Sequence, residues 1–380
     1  MLWSVLHRGT AEPTLVITRG GTYSGTYEGT DPASPVVLVK TTEPVVIDRC
    51  TIRGPGTLIS SGVAHTNITV RNTTGTGINP NRYDKAKGRF FRAESFDNIV
   101  IENNDLEGTA GIYLLDYAGG SAPQHTVKIL RNRVHNIDGR KSDGGGGWRE
   151  SAEIVQFVQL DKVRHLAGVE IAWNQVLNDP GNSAVEDNIN IYKSSGAESG
   201  PILIHDNFIQ GAYPVFPRAK DYSGGGILLG DGSSPTAEDA AVFVKAYDNQ
   251  VVSTTNYGIA ISAGHDLSFY HNRIISSGLL PDGRSIPSQN AGAYIWDMHH
   301  DADRNPPTFF NNSGHDNLIG WAKGDGRNDW WVPNATVWQD NQHWPDPLSR
   351  EVEAAERRRW ERKLKDAGVT VGVESTVRPP

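Results

Sequence analysis

Ile204-His-Asp-Asn207-Phe-Ile209 is one of six stretches in this chain that share a single frame. The others are Ile101-Glu-Asn-Asn104-Asp-Leu106, Ile129-Leu-Arg-Asn132-Arg-Val134, Ile171-Ala-Trp-Asn174-Gln-Val176, Ala246-Tyr-Asp-Asn249-Gln-Val251 and Phe269-Tyr-His-Asn272-Arg-Ile274. In each, the asparagine stands three residues after one apolar side chain and two before the next. That reads as strand, polar corner, strand. Corner asparagines tolerate the left-handed conformation, and stacked identical amides hydrogen-bond from one layer to the next. Spacings of 28, 42, 33, 42 and 23 residues mean that one supersecondary unit recurs with insertions of variable length. Six unrelated Asn-rich turns in a sandwich would not keep the flanking apolar residues in register each time.

A second strand column follows the asparagines. It runs Gly111-Ile-Tyr-Leu-Leu-Asp116, Glu153-Ile-Val-Gln-Phe-Val158, Asn188-Ile-Asn-Ile-Tyr-Lys193, Gly226-Ile-Leu-Leu-Gly-Asp231, Gly258-Ile-Ala-Ile-Ser-Ala263 and Gly292-Ala-Tyr-Ile-Trp-Asp297. Alternate apolar residues point inward, and a polar or small residue ends most strands. Less regular layers are visible earlier, in Val45-Val-Ile-Asp-Arg-Cys-Thr-Ile52 and Asn67-Ile-Thr-Val-Arg-Asn72. The pattern predicts an all-β chain, a right-handed parallel β-helix solenoid of roughly eight to ten coils. On these residues the chain resembles the pectate lyase and polygalacturonase superfamily, from about Leu15 to about Trp321.

Composition agrees. Forty-one glycines and many Asn, Asp, Ser and Thr residues suit a corner-rich solenoid. No Pro/Ser linker divides the 380 residues, so residues 1–345 are expected to form the solenoid with a Trp-rich cap. Residues 346–380 are expected to form a charged helix and tail packed on it. That helix, Arg350 to Lys365, has Val352, Trp360 and Leu364 as its few apolar residues. A cap is needed, because an uncovered last coil leaves an open sheet edge. Trp321, Trp330, Trp331, Trp338 and Trp344 crowd the same region, as packing of the cap or as a platform for sugar rings.

The lone Cys50 excludes an internal disulfide framework and is expected in the core beside Ile52. A net charge of −8 argues against nucleic acid as partner. No apolar run reaches the length of a membrane span, so no membrane partner is expected. The opening Met1-Leu-Trp-Ser-Val-Leu-His-Arg lacks a basic region followed by an apolar one. The expectation is a secreted or periplasmic monomer whose signal has been removed, with a cytoplasmic one as the alternative.

Loop lengths locate the functional face. Long excursions run from Asp138 to Ser151, Ala212 to Gly225 and Gly278 to Ala291, all leading into the second strand column from the same side. They are expected to wall one groove, the usual binding face of a solenoid. Neighbouring coils stack about 4.8 Å apart. Glu153, Glu186, Asp187, Lys193 and Asp231 would then gather on three adjacent coils, with Asn190, Tyr192, Arg218, Trp296 and Asp297 available to bind substrate.

Two chemistries fit a polysaccharide in such a groove. The first is β-elimination of a uronic-acid polymer, with Lys193 as base and a calcium ion held by Glu153, Glu186, Asp187 or Asp231 to neutralise the sugar carboxylate. The segment Glu186-Asp-Asn-Ile-Asn-Ile-Tyr-Lys193-Ser194 resembles the Lys-Ser stretch of the alginate lyase and chondroitinase B family, which implies that lysine as base and nearby acids on calcium. That family places an arginine on the next coil, where Gly230-Asp231 stands here, leaving His265, Arg218 or His299 as substitutes. The second is hydrolysis by paired carboxylates. Glu186-Asp187-Asn-Ile is similar to the Asp-Asp-Cys-Ile strand of the polygalacturonases, and Gly264-His265-Asp266 to their Gly-His-Gly, one coil further on. A lyase leads on this reading, a glycoside hydrolase is the alternative, and a non-catalytic glycan-binding or fibre domain is the third class.

Overall fold

The asparagine frame builds a continuous ladder of hydrogen bonds. In this computed structural model, which describes residues 13–120, 125–220, 223–324, 326–345 and 347–373, the backbone N–H and Nδ2 of Asn104 both donate to Oδ1 of Asn132, at 3.1 and 3.0 Å. The opening residues 1–8 read above lie outside the described residues. The same pair of bonds runs from Asn132 to Asn174, Asn207, Asn249 and Asn272 in turn. It continues past the six, to Asn317 and then Asn341. At the other end Thr73 N–H donates to Asn104 Oδ1, and Cys50 N–H to Thr73 Oγ1. The buried Cys50 thus heads the ladder.

The left-handed residue is not the asparagine, as the sequence suggested, but the one before it. Asn103, Arg131, Trp173, Asp206, Asp248, His271, Asp316 and Asp340 all have φ between 51 and 59°. A non-glycine residue costs roughly 1–2 kcal/mol there. The doubly bonded amide that follows holds the chain in that conformation, so even Trp173 is accommodated.

The strands between corners form long sheets in which neighbours pair in parallel, apart from the antiparallel pairing of Ala322 with Arg327 and Lys323 with Gly326. One sheet has eleven strands, from Leu15–Ile17 to Trp330–Trp331, and contains the second column. Its inner row sets Ile112, Val158, Ile189, Ile227, Ile259 and Ala293 side by side, all fully buried. The other, of 21 strands, flanks the asparagine corners and packs Ile129, Ile171, Ile204, Ala246 and Phe269 against them. Burying each such isoleucine contributes on the order of 2 kcal/mol. The chain is therefore all-β with long parallel sheets, and Arg350–Ala367 is the one α-helix among the described residues. That helix is not long and apolar enough to cross a membrane.

Two registers differ from the sequence reading. Val158, not Ile154, sits beside Ile112, so Glu153 stands three residues before the first residue of its strand instead of starting it. It follows the arm Trp148–Ala152 of a short antiparallel hairpin made by the first excursion. The strand Gly225–Asp231 also carries one extra residue, a bulge, so Tyr192 and not Lys193 pairs with Asp231.

The helix begins at Ser349, whose hydroxyl accepts from Val352 N–H, and ends at Gly368 in the left-handed region. It lies along the side of the larger sheet. Trp360 is fully buried between Trp173 and Phe208, with ring centroids 6.0 Å away on each side. Glu356 accepts from Arg273 Nε at 2.8 Å and from Gln250 Nε2 at 2.8 Å, while Glu353 accepts from Ser277 N–H at 2.6 Å. Two of the helix's acidic residues thus fix it to the sheet.

Candidate functional site

The outer face of the eleven-stranded sheet presents three rows of side chains. Gln156, Asp187, Gly225 and Tyr257 stand in one. Gln159, Asn190, Leu228, Ala260, Tyr294 and Trp331 stand in the next, and Asp161, Tyr192 and Asp231 in the third. Over them opens a cavity of about 650 Å³. Its floor is polar, with Asp187, Asn190, Asp231, Tyr257 and Tyr294. Its rim is apolar: Ile154, Trp296, Met298 and Trp331 are between 37 and 70 % exposed. The second and third excursions pack on each other through Tyr213, Leu280 and Ile286. They place Gly224 and Asn290 in one wall.

Asn190 joins two carboxylates. Its Nδ2 donates to Asp187 Oδ2 and to Asp231 Oδ2, each at 2.9 Å, so those oxygens are no farther apart than twice 2.9 Å. Asp187 is buried; Asp231 is partly exposed and also accepts from Gly232 N–H at 2.7 Å. The phenol of the buried Tyr257 donates to Asp187 Oδ1 from two strands away. Only glycine at 225 leaves that path open, because a Cβ there would meet Asp187 Oδ1 and the Tyr257 ring. Glu186 closes the floor on one side and accepts from Ser223 Oγ at 3.0 Å.

These surroundings push the Asp187 carboxyl up to about 7. Burial is the main cause, the neighbouring Glu186 charge adds to it, and the Tyr257 and Asn190 hydrogen bonds oppose it. A carboxyl at about 7 is half protonated at neutral pH and can give a proton away. Because Tyr257 bonds the charged form, Tyr257→Phe should move the Asp187 midpoint further up, read by carboxyl carbon NMR; a downward move would contradict the geometry.

The same shift links stability to pH. The folded-state value lies above the ordinary 3.8, so folding takes up a proton in between. This contribution is fully present below about pH 4 and is lost as pH rises to about 7, by at most about 1.4 kcal/mol per unit. Asp187→Asn removes it. The melting temperatures of variant and wild type should therefore diverge in favour of the variant between pH 4 and 8; parallel profiles would contradict the shift.

The structure gathers some of the residues expected here and scatters others. Glu186, Asp187, Asn190, Tyr192, Asp231 and Trp296 line one cavity. Lys193 does not line it; it lies in the corner after Tyr192, φ 48°, with its ammonium 5.7 Å from the Tyr192 ring centroid. Glu153 lines a separate depression, as its shifted register requires. His265 is on the other sheet, stacked on Phe310 at 4.3 Å. Arg218 lies on another surface with Leu280 and Arg284. Asp297 accepts from Asp301 and Ala302 N–H, both at 2.8 Å, and so caps a turn.

Of the four carboxylates expected to share a cation, Glu186, Asp187 and Asp231 line one cavity and Glu153 does not. Calcium takes about six to eight oxygens. Glu153 shares another depression with Glu186 but does not line the cavity over Asp187, and both Asp187 oxygens accept from a phenol and an amide. Among the described residues no three His, Cys, Asp or Glu side chains are grouped as metal ligands.

Tyr257 and Tyr294 were missed, although the sequence holds a signal for the first. Asp187-Asn-Ile, Gly225-Gly-Ile and Tyr257-Gly-Ile align in the repeat, which puts Tyr257 in the Asp187 row. Compared with known proteins, the chain matches no family model, no curated protein and no solved structure.

Proposed function

We propose that the chain is a right-handed parallel β-helix of the pectate lyase and polygalacturonase kind, acting as a monomeric glycoside hydrolase on a polysaccharide. The handedness follows the general rule for parallel crossovers. The observation that carries the activity is the pair Asp187 and Asp231 on one amide, with one member buried and pushed up to about 7 and the other open to the cavity. Two carboxyl groups held in different environments divide acid from nucleophile.

In this reading Asp187, protonated, gives its proton to the glycosidic oxygen as the bond breaks. Held by Asn190 too close for a water to fit between the two carboxyl groups, Asp231 attacks the anomeric carbon as that bond breaks, and water then releases the glycosyl-enzyme while Asp187, now ionised, takes the water's proton. Tyr257 restrains Asp187 and keeps it oriented. Trp296 and Trp331, with ring centroids 5.2 Å apart at the rim, offer faces on which sugar rings stack. We favour hydrolysis over elimination because Lys193, the base a lyase would use, is not among the residues that line the cavity.

The pH dependence has a definite sign. Only protonated Asp187 can act, so the rate should fall as pH rises through about 7. The test is a panel of acidic and neutral polysaccharides, following reducing ends and unsaturated-uronate absorbance in parallel. Reducing ends without absorbance are expected. Absorbance with reducing ends would mean elimination, and neither would mean a binding module.

A further inference from the structure

Three strands before the acid pair, the same outer row changes chemistry. Arg92 pairs with Tyr113, Tyr113 with Gln159 and Gln159 with Asn190. Arg92 therefore stands three strand spacings, about 14 Å, from Asn190. A second depression of about 290 Å³ opens here, lined by Lys85, Lys87, Arg89, Arg92, Tyr113 and Glu153 among others. Four cations and one carboxylate line it, with Asp138 and Glu94 pairing two of the cations from outside the lining, on a chain whose net charge is −8. The excess is local.

The two arginines are arranged around one ring. Arg89 and Arg92 stand 5.3 and 5.9 Å from the Tyr113 centroid, and Tyr113 donates its hydroxyl proton to Asp161 at 2.6 Å, which fixes the ring. Arg89 donates to the Ala110 carbonyl at 2.7 Å, a partner that carries no charge. Burial pushes the Arg89 guanidinium down to about 10; Tyr113 and Glu153 oppose that, and Arg92 adds to it. Two like charges set against one ring, one of them desolvated, favour an anion that joins them. Lys87 is already paired with Asp138 at 2.9 Å, and Arg92 stands 3.6 Å from Glu94 in an exposed pair that is worth little.

We propose that this depression is a subsite for an oxyanion carried by the glycan, a carboxylate or a sulfate group, gripped by Arg89 and Arg92 while the bond to be cut lies over Asp187 and Asp231. Guanidinium forks match the geometry of such groups and hold them in two parallel hydrogen bonds. The inference rests on the glycan reading of the groove, and it adds that the substrate is acidic toward this end. Each strand spacing is close to the length one pyranose unit adds to an extended chain. The anion then belongs to a sugar about three units from the cut.

Calorimetry on the Asp187→Asn protein tests this without cleavage, using an oligogalacturonate, a sulfated neutral oligosaccharide and a carboxyl-reduced neutral oligomer of equal length. At least one acidic probe should bind ten-fold tighter than the neutral one, and the tighter of the two identifies the anion. Arg92→Gln, at an exposed side chain, should erase that advantage and leave the neutral oligomer's Kd unchanged. Arg89→Gln should do the same where its melting curve matches the parent. Equal binding of acidic and neutral probes, no binding of any, or an equal loss for all in Arg92→Gln overturns the subsite. Failure of the polysaccharide panel instead overturns the hydrolase reading, because the binding preference is measured independently of any turnover.

Discussion

Replacing Asp187 by asparagine is expected to lower glycan cleavage about a thousand-fold while leaving the fold intact. A positioned general acid contributes roughly 10²–10⁴ in rate, and an amide of the same shape has no proton to give. Its oxygen can still accept from Asn190 and its NH2 can face the Tyr257 phenol, so both present hydrogen-bond partners stay occupied. The variant should be more stable than wild type at pH 8, because burial and Glu186 disfavour the charge it removes. Lys193→Ala, outside the cavity, should keep most of the rate. Reducing-end release and a melting curve for both variants decide the matter. Full activity in the Asp187 variant, or loss of activity only in the Lys193 variant, would return the chemistry to elimination.

Asn207→Ala should cost about 3–5 kcal/mol, since several buried polar groups lose partners at once. Asn207 Oδ1 accepts from the backbone and side chain of Asn174, at 3.0 and 2.9 Å. Its Nδ2 donates to the Ile171 carbonyl at 2.8 Å and to Asn249 Oδ1 at 2.9 Å. No water can enter between layers to replace them, as Asn207 is fully buried. Asn341, at the end of the ladder, is only partly buried and donates to Gly314 at 3.0 Å. Asn341→Ala should therefore cost about 1 kcal/mol or less, because water can take up part of the lost bonding. Denaturant melts of the two variants measure the difference. Equal effects would mean that the ladder carries no cooperative load.

The fold was legible where repetition constrained it. The frame of Ile204-His-Asp-Asn207-Phe-Ile209 repeats because each layer must meet its neighbours in one register, and a one-residue slip would turn the apolar side chains outward. The frame was lost at Asn317 for a physical reason. Gly314 stands where an apolar residue is expected, and a side chain there would strike the Trp338 ring. Thr73 and Cys50 escaped the pattern because the layer above needs only an acceptor at Thr73 and a donor N–H at Cys50.

The site was legible in part. Asp187, Asn190 and Asp231 fall at strand positions that the repeat locates, and the strand-to-strand spacing does the rest. Glu153 misled because its segment repeats the apolar alternation four residues early, at the end of a hairpin that no periodicity marks. Lys193 misled because an extra residue in the strand Gly225–Asp231 breaks the register at the one place where it mattered. Tyr257 depends on what is absent, the side chain of Gly225, which a reading of side chains passes over.

The most direct test is the titration of Asp187 itself. Protein labelled with carbon-13 at aspartate carboxyl groups, compared with the Asp187→Asn variant to assign the signal, gives the midpoint without any substrate. The account predicts a midpoint near 7, with a carboxylic acid still present in neutral solution. A midpoint near the ordinary value of 3.8 would leave Asp187 ionised wherever the protein works, and the pair with Asp231 would have no acid to offer.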